Sequence, residues 1–200
     1  MAALLPPAFY QRDALDVAKD LLGATLHHGD VRLRITEVEA YRFPDDSANH
    51  CHRGHTARNA PMWGPAGHLY VYLCYGIHHL VNIVTNTKGE GAAVLIRSCE
   101  PVSGLQTILK RRNQIQGPAL LTGPGKVGAA LGVDTSWSNH CVYKKGGITI
   151  QRGDQPNRII SGPRVGIDYA EPKHIRAPWR LAIADSPWVS HRRTLNKKRK

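Results

Sequence analysis

Ile35-Thr36-Glu37-Val38-Glu39-Ala40-Tyr41 is the stretch on which the reading of this chain turns. It follows Val31-Arg32-Leu33-Arg34 in an alternation of apolar and polar residues, so residues 31–41 read as a β-strand. In a regular strand every second side chain points the same way, which would put Leu33, Ile35, Glu37, Glu39 and Tyr41 on one face. That face passes from apolar to acidic and ends in a ring. A half-buried strand of this kind can hold a carboxylate against a flat aromatic at a rigid site. The plainer alternative is that both glutamates are solvated residues at a sheet edge.

Working outward, residues 10–22 carry Ala14, Leu15, Ala18, Leu21 and Leu22 at helical spacing, and Gly23 stands where a left-handed cap belongs. A turn at His28-Gly29-Asp30 leads into the strand, and Pro44-Asp45-Asp46 ends it. Residues 49–59 are polar, basic and without period, and read as a loop beside the strand end. This loop holds His50, Cys51, His52 and His55, but their spacing matches zinc-ligand patterns poorly, and the interleaved Arg53 and Arg58 point instead to phosphate contacts. Residues 67–76 and 77–84 are two β-type runs that meet at Tyr75-Gly76, as in a hairpin. Alternation places Tyr70 and Tyr72 on one face and Tyr75 on the other or at the tip.

Residues 92–97 are almost wholly apolar and read as a central strand delivering Arg97 at its end. Ser103 is expected to cap a helix with Leu105, Ile108 and Leu109 inward. A second helix is expected from Thr122-Gly123-Pro124-Gly125-Lys126 to about Leu131, with Gly132 as its stop. This is not a P-loop, although a Gly-rich helix start beside Lys126 can bind one phosphate. Short strands are expected at residues 147–152 and 164–168, followed by a turn-rich part containing Pro178, Pro187 and Trp188.

Composition bounds the partners. The chain has 200 residues, 42% of them hydrophobic, enough for one domain with a core. Lys plus Arg number 27 against 15 Asp plus Glu, a formal charge of +12 that favours a polyanion such as nucleic acid or an anionic membrane surface. Basic residues at 191–200 contribute to the excess and read as a disordered tail beyond a domain of residues 1–190, adding salt-sensitive phosphate affinity or merely solubility. Cys51, Cys74, Cys99 and Cys141 form no C-x-x-C pair, so a reducing interior is the expected compartment. The first residues lack a basic n-region, and no run approaches the roughly 20 apolar residues of a membrane helix. The expectation is a soluble, intracellular protein.

A lone strand-end carboxylate, Glu39, near Tyr41, His50 and Tyr72 suits chemistry on a planar base. Rings hold a base by stacking, and one carboxylate can activate water for attack at an anomeric carbon. Glu37-Val38-Glu39-Ala40-Tyr41, His50 with Arg53-Gly54 and Arg58-Asn59, the run from Gly67 through Tyr75-Gly76, and Asn82 together resemble the alkyladenine (3-methyladenine) DNA glycosylases of vertebrate and bacterial type. The resemblance continues through Ala93-Val94-Leu95-Ile96-Arg97, Gly123-Pro124-Gly125-Lys126, Pro163-Arg164-Val165-Gly166 and Ser186-Pro187-Trp188-Val189, in order over most of the chain.

The resemblance implies an α+β fold: a single compact domain with a curved, mostly antiparallel sheet, flanking helices and a protruding hairpin that intercalates into DNA. It implies a monofunctional enzyme of base excision repair, working without metal or other cofactor as a monomer on double-stranded DNA with damaged purines of the 3-methyladenine, hypoxanthine and ethenoadenine class. Glu39 corresponds to the general base, and Glu37 to a structural position. Tyr41 lies on one side of the flipped base, with His50 and Tyr72 on the other. Tyr75 resembles the intercalating wedge, and Arg97 a contact to the flipped nucleotide's backbone. Asn82 resembles the residue that crowds the 2-amino group of guanine. Arg53 and Lys126 complete the expected DNA contacts. Other readings are a non-catalytic nucleic-acid binder, an O-glycoside hydrolase using Glu37 with Glu39, and a metal nuclease built on the His-rich loop.

Overall fold

The computed structural model describes residues 3–195. Two helices open the chain, α1 (Pro7–Tyr10) and α2 (Ala14–Leu21). The helix expected over residues 10–22 is shorter at its start because the Asp13 side chain accepts from the Leu15 amide and caps α2 there. Two strands then form a hairpin, β1 (Thr25–His28) and β2 (Val31–Tyr41), closed by Gly29-Asp30 between paired His28 and Val31. The remaining elements are β3 (Leu69–Cys74), β4 (His78–Val84), β5 (Ala93–Ser103), α3 (Leu105–Arg111), α4 (Pro124–Leu131), β6 (Thr149–Gln151), β7 (Ile159–Gly162), α5 (Pro172–Ile175) and β8 (Arg180–Ile183). All eight strands join one sheet of order β3-β4-β5-β2-β1-β6, with β8 also on β2 and β7 on β8, and every pairing is antiparallel. The class is α+β, with helices flanking one antiparallel sheet.

β2 is the central strand, not an edge. β5 runs along one side of it, while the other side is taken first by β1 and then by β8, which pairs with Glu37, Val38 and Glu39. Both glutamates are fully buried, which removes the solvated-edge alternative. The single face expected for residues 33–41 is also corrected. Register slips at Thr36, where Ile35 pairs with Cys99 but Glu37 with Ser98, so Thr36 is a bulge. Before it Val31, Leu33 and Ile35 enter the main core, and after it Val38 and Ala40 do. One extra residue exchanges the two faces of a strand, so Glu37 and Glu39 leave the apolar side. A second slip skips Arg97 between Ser98 and Ile96 on β5, and bends that residue toward the carboxylates.

Glu37 is the hub of this region. Its Oε1 accepts from Arg97 Nε at 3.2 Å, Arg180 Nη1 at 3.0 Å and Ser190 Oγ at 2.9 Å. Its Oε2 accepts from Ser98 Oγ at 2.6 Å and the Ser190 amide at 2.7 Å. One carboxylate thereby joins β5, β8 and the C-terminal segment to β2.

Other expectations shift. β5 continues past Arg97 to Ser103, and Ser103 does not cap α3: its hydroxyl donates to the Asp30 carbonyl, and Gly104 at φ 74° is the cap. Leu105 is exposed because it lies in the first turn of α3, away from buried Ile108 and Leu109. α4 and its stop at Gly132 fall where expected, with Gly125 and Gly128 allowing the helix to rest on His78 and the His79 carbonyl of β4. Residues 164–168 form no strand, since the Val165 amide serves the Glu39 side chain in place of a ladder and Gly166 sits at φ 75°. Of the residues read as a tail from 191, only 191–195 are described. His191 to Leu195 pack back, with Arg180 donating to Thr194, Arg192 to the Ala184 and Ser186 carbonyls, and Leu195 buried. Residues 196–200 lie outside the described residues. No described helix is long and apolar enough to cross a membrane.

Replacing Glu37 by Ala would strand two buried guanidinium groups without their shared anion. We expect Glu37→Ala to lower stability by about 3–5 kcal/mol, read as a fall in the denaturant midpoint with an unchanged slope.

Candidate active site

The sheet, residues 49–62, α4 and residues 165–169 enclose a cavity of about 530 Å³. Its size lies in the range of small-molecule sites. Of the residues anticipated from sequence, Glu39, Tyr41, His50, Tyr72, Tyr75, Asn82, Arg97 and Lys126 line it together. Arg53 does not, and lies on an adjoining concavity with Ser47, His52 and Glu171.

Glu39 accepts from the Val165 amide at 2.8 Å on Oε1 and from the Tyr41 hydroxyl at 3.0 Å on Oε2, and its Oε1 forms an ion pair with Arg97 Nη1 at 3.2 Å. Charged and neutral partners of this kind fix a buried carboxylate in direction. Burial and then the Glu39 charge push the Tyr41 hydroxyl well above its ordinary range, so it remains a donor to Glu39 at any working pH. Arg97 is buried between the two glutamates, with Nη2 donating to Ser190 Oγ at 3.2 Å. Burial opposes its charge, but Glu39 and Glu37 outweigh it and hold the guanidinium above its usual value. Read from sequence as a contact to a nucleotide's backbone, Arg97 is in the first place the internal counter-ion of both carboxylates.

A second buried pair underlies Tyr41. Arg164 Nη1 and Nη2 reach the two Asp46 oxygens at 2.6 and 2.7 Å, and Nη1 also donates to the Ala40 carbonyl. The guanidinium carbon sits 4.6 Å from the Tyr41 ring centroid and 5.0 Å from that of Trp179. One face of Tyr41 is thereby occupied by a paired cation, and the ring is held rigidly. Sequence reasoning missed this pair. Its only signal was Asp46 beside a strand-breaking proline and an arginine far along the chain.

The opposite wall is a ring cluster. Tyr70 and Tyr72 stack at 5.4 Å, His50 meets Tyr72 edge-on at 4.7 Å, and His50 Nδ1 is 3.0 Å from the Tyr70 hydroxyl. Burial, and then the charge of Arg58, lower the His50 pKa, so the ring is neutral where a free imidazole is already partly protonated. The irregular loop that carries His50 is set by two buried amides. Asn49 donates to the Arg42 and Gly91 carbonyls, and Asn59 to those of His50 and Gly54. The loop's other candidate metal ligands diverge: His52 and His55 are exposed, while Cys51 is buried against Met62. Among the described residues no three His, Cys, Asp or Glu groups converge to hold a metal ion.

Asn82 is buried opposite Tyr70 in the β3–β4 ladder, and its Nδ2 donates to the Tyr70 carbonyl at 3.0 Å. At the mouth, β3 and β4 turn through Tyr75, Gly76 and Ile77. Tyr75 is 87% exposed and Ile77 72%, and Tyr75 takes the left-handed conformation at φ 52°. A bulky residue in that region costs strain that ordinary surfaces avoid, and such positions cluster at functional sites. On the far rim Lys126 stands at the start of α4 near Arg112, and burial followed by that neighbour lowers its pKa. Chemically, the cavity offers one oriented carboxylate, aromatic walls and a cationic rim.

The chain matches the methylpurine-DNA glycosylase family over residues 8–187. It is 62% identical to a Nitrosococcus oceani protein provisionally named a 3-methyladenine DNA glycosylase, over 195 residues covering 98% of this chain and 97% of that one. It is 57% identical to the Arabidopsis thaliana DNA-3-methyladenine glycosylase, over 94% of this chain and 74% of the plant protein.

The His50 environment predicts its titration. In NMR spectra followed against pH, the His50 ring should begin to protonate at lower pH than a free imidazole. Removing the like charge in Arg58→Gln should move the His50 midpoint upward.

Proposed function

This chain belongs to the methylpurine-DNA glycosylase family, and we propose that it excises damaged purines from duplex DNA in base excision repair by hydrolysing the N-glycosidic bond. The observation that carries the mechanism is the buried Glu39 carboxylate that lines an aromatic cavity and is oriented by two hydrogen bonds and an ion pair. An everted purine stacks on Tyr41 and against the His50–Tyr72 wall, with its sugar toward Glu39. Glu39 takes a proton from water as the water oxygen bonds to C1′. The C1′–N bond breaks, the base leaves with the bonding electrons, and an abasic sugar remains. The carboxylate charge also stabilises the oxocarbenium-like transition state. With Glu37 fully committed to its five donors, the reaction uses one carboxylate, which weighs against an O-glycosidase pair.

Tyr75 and Ile77 at the exposed tip act as the apolar wedge that fills the stack emptied by the base. Lys126 on the cavity rim and Arg53 on the adjoining concavity hold phosphates of the distorted strand. Asn82, fixed in the ladder, crowds a purine 2-amino group and biases the cavity toward adenine-like and hypoxanthine-like bases. The substrate class comprises 3-methyladenine, hypoxanthine and ethenoadenine.

Duplexes with a single hypoxanthine, and alkylated DNA carrying 3-methyladenine, test this reading when incubated in excess EDTA and then heated in alkali to cut at abasic sites. Base release should survive chelation and fall at least about 100-fold in Glu39→Gln while DNA binding persists. Metal dependence, or cutting of undamaged DNA, would sink it. Tyr75→Ala should weaken lesion affinity and turnover together, and unchanged values for both would remove the wedge role.

A further inference from the structure

Arg58 is a charge in the cavity that the hydrolytic mechanism leaves unused. Arg97 is paired with Glu37 and Glu39, and Arg164 with Asp46. Among the described residues no carboxylate pairs with Arg58. It lines the same cavity as Glu39 and Tyr41, and its guanidinium carbon lies 6.0 Å from the centroid of the Tyr72 ring. Its charge also reaches the neighbouring rings: it adds to the lowering of the His50 pKa and opposes the rise that burial imposes on Tyr70.

We propose that Arg58 is a specificity-determining residue that favours neutral purine lesions over cationic ones by repelling a positive charge on a base stacked at Tyr72. This rests on the glycosylase reading above. Alkylation at a purine ring nitrogen such as N3 or N7 leaves a fixed positive charge on the base, whereas deamination or etheno bridging leaves it neutral. An aromatic ring attracts a cation through its quadrupole, but beside Tyr72 a guanidinium already takes that place. A cationic base therefore stacks next to a like charge that no carboxylate pairs, and because the Arg58 side chain is exposed the repulsion is partly screened and modest in size. A neutral base meets no such repulsion, and a flat guanidinium can stack on it. Discrimination by repulsion is as effective as discrimination by attraction.

The rival role, a phosphate grip by Arg58, makes a different prediction. A lost phosphate contact weakens all DNA alike and reduces the salt dependence of binding, whatever the lesion. The experiment is single-turnover excision at saturating enzyme, comparing hypoxanthine in a defined duplex with 3-methyladenine in dimethyl-sulfate-treated DNA. It is run for the unaltered protein, Arg58→Gln and the charge-retaining Arg58→Lys. The ratio of the 3-methyladenine rate to the hypoxanthine rate should rise about five-fold in Arg58→Gln. It should stay near the original value in Arg58→Lys. A ratio that stays put or falls in Arg58→Gln would overturn the proposal, and equal losses on both lesions with a shallower salt dependence would assign Arg58 to phosphate. Failure of the unaltered protein to release either base would fall on the glycosylase reading itself.

Discussion

The site depends on one buried carboxylate that does not line the cavity. Glu37 accepts two guanidinium groups and three further donors, and through Arg97 it shares a cation with Glu39. Burying ions is costly unless each is paired and its remaining hydrogen-bonding positions are filled. Here Glu37, Glu39, Arg97 and Arg180 carry two charges of each sign, while Ser98, Ser190 and Thr194 take up the hydrogen bonds left over. The balance explains why β2, β5, β8 and the last described turn meet at this point. It also means that Glu39 shares the Arg97 charge with Glu37.

A second ion pair does for the loops what this cluster does for the strands. Asp46 and Arg164 join the end of β2 to the segment before Val165, so the amide that binds Glu39 and the ring that binds it come from one braced unit. Asn49 and Asn59 then replace a backbone ladder through residues 42–59, each spending its amide on carbonyls that a strand would have satisfied. The wall carrying His50 is thus built without regular secondary structure, and still presents its ring to Tyr70 and Tyr72.

Much of this was legible in the sequence because its signals are local. Residues 31–41 alternate like a strand and form one, Tyr75-Gly76 turns as a hairpin tip must, and Gly132 ends α4 in the left-handed region. Eight of the nine anticipated site residues line one cavity. What escaped depends on partners remote in the chain. Glu37 had no visible purpose because its donors lie 60 to 153 residues away. The expected strand at 164–168 failed for the same reason, since a distant side chain claims the Val165 amide. The slip at Thr36 leaves only a faint mark, the passage of apolar residues from odd positions at 31–35 to even ones at 38 and 40, and the slip at Arg97 leaves none in the apolar run before it.

The bulge at Thr36 makes the central strand a text in two reading frames. Up to Ile35 the odd positions are written for the apolar interior, and beyond it the even ones are. Substitution within either half alters one side chain, whereas losing a single residue between the halves would shift every later letter. Val38 and Ala40 would then face the cavity, and two carboxylates would be driven among leucines and isoleucines. Chain length through residues 35–37 is therefore constrained more tightly than residue identity, and the position of the acid is set by counting as much as by chemistry.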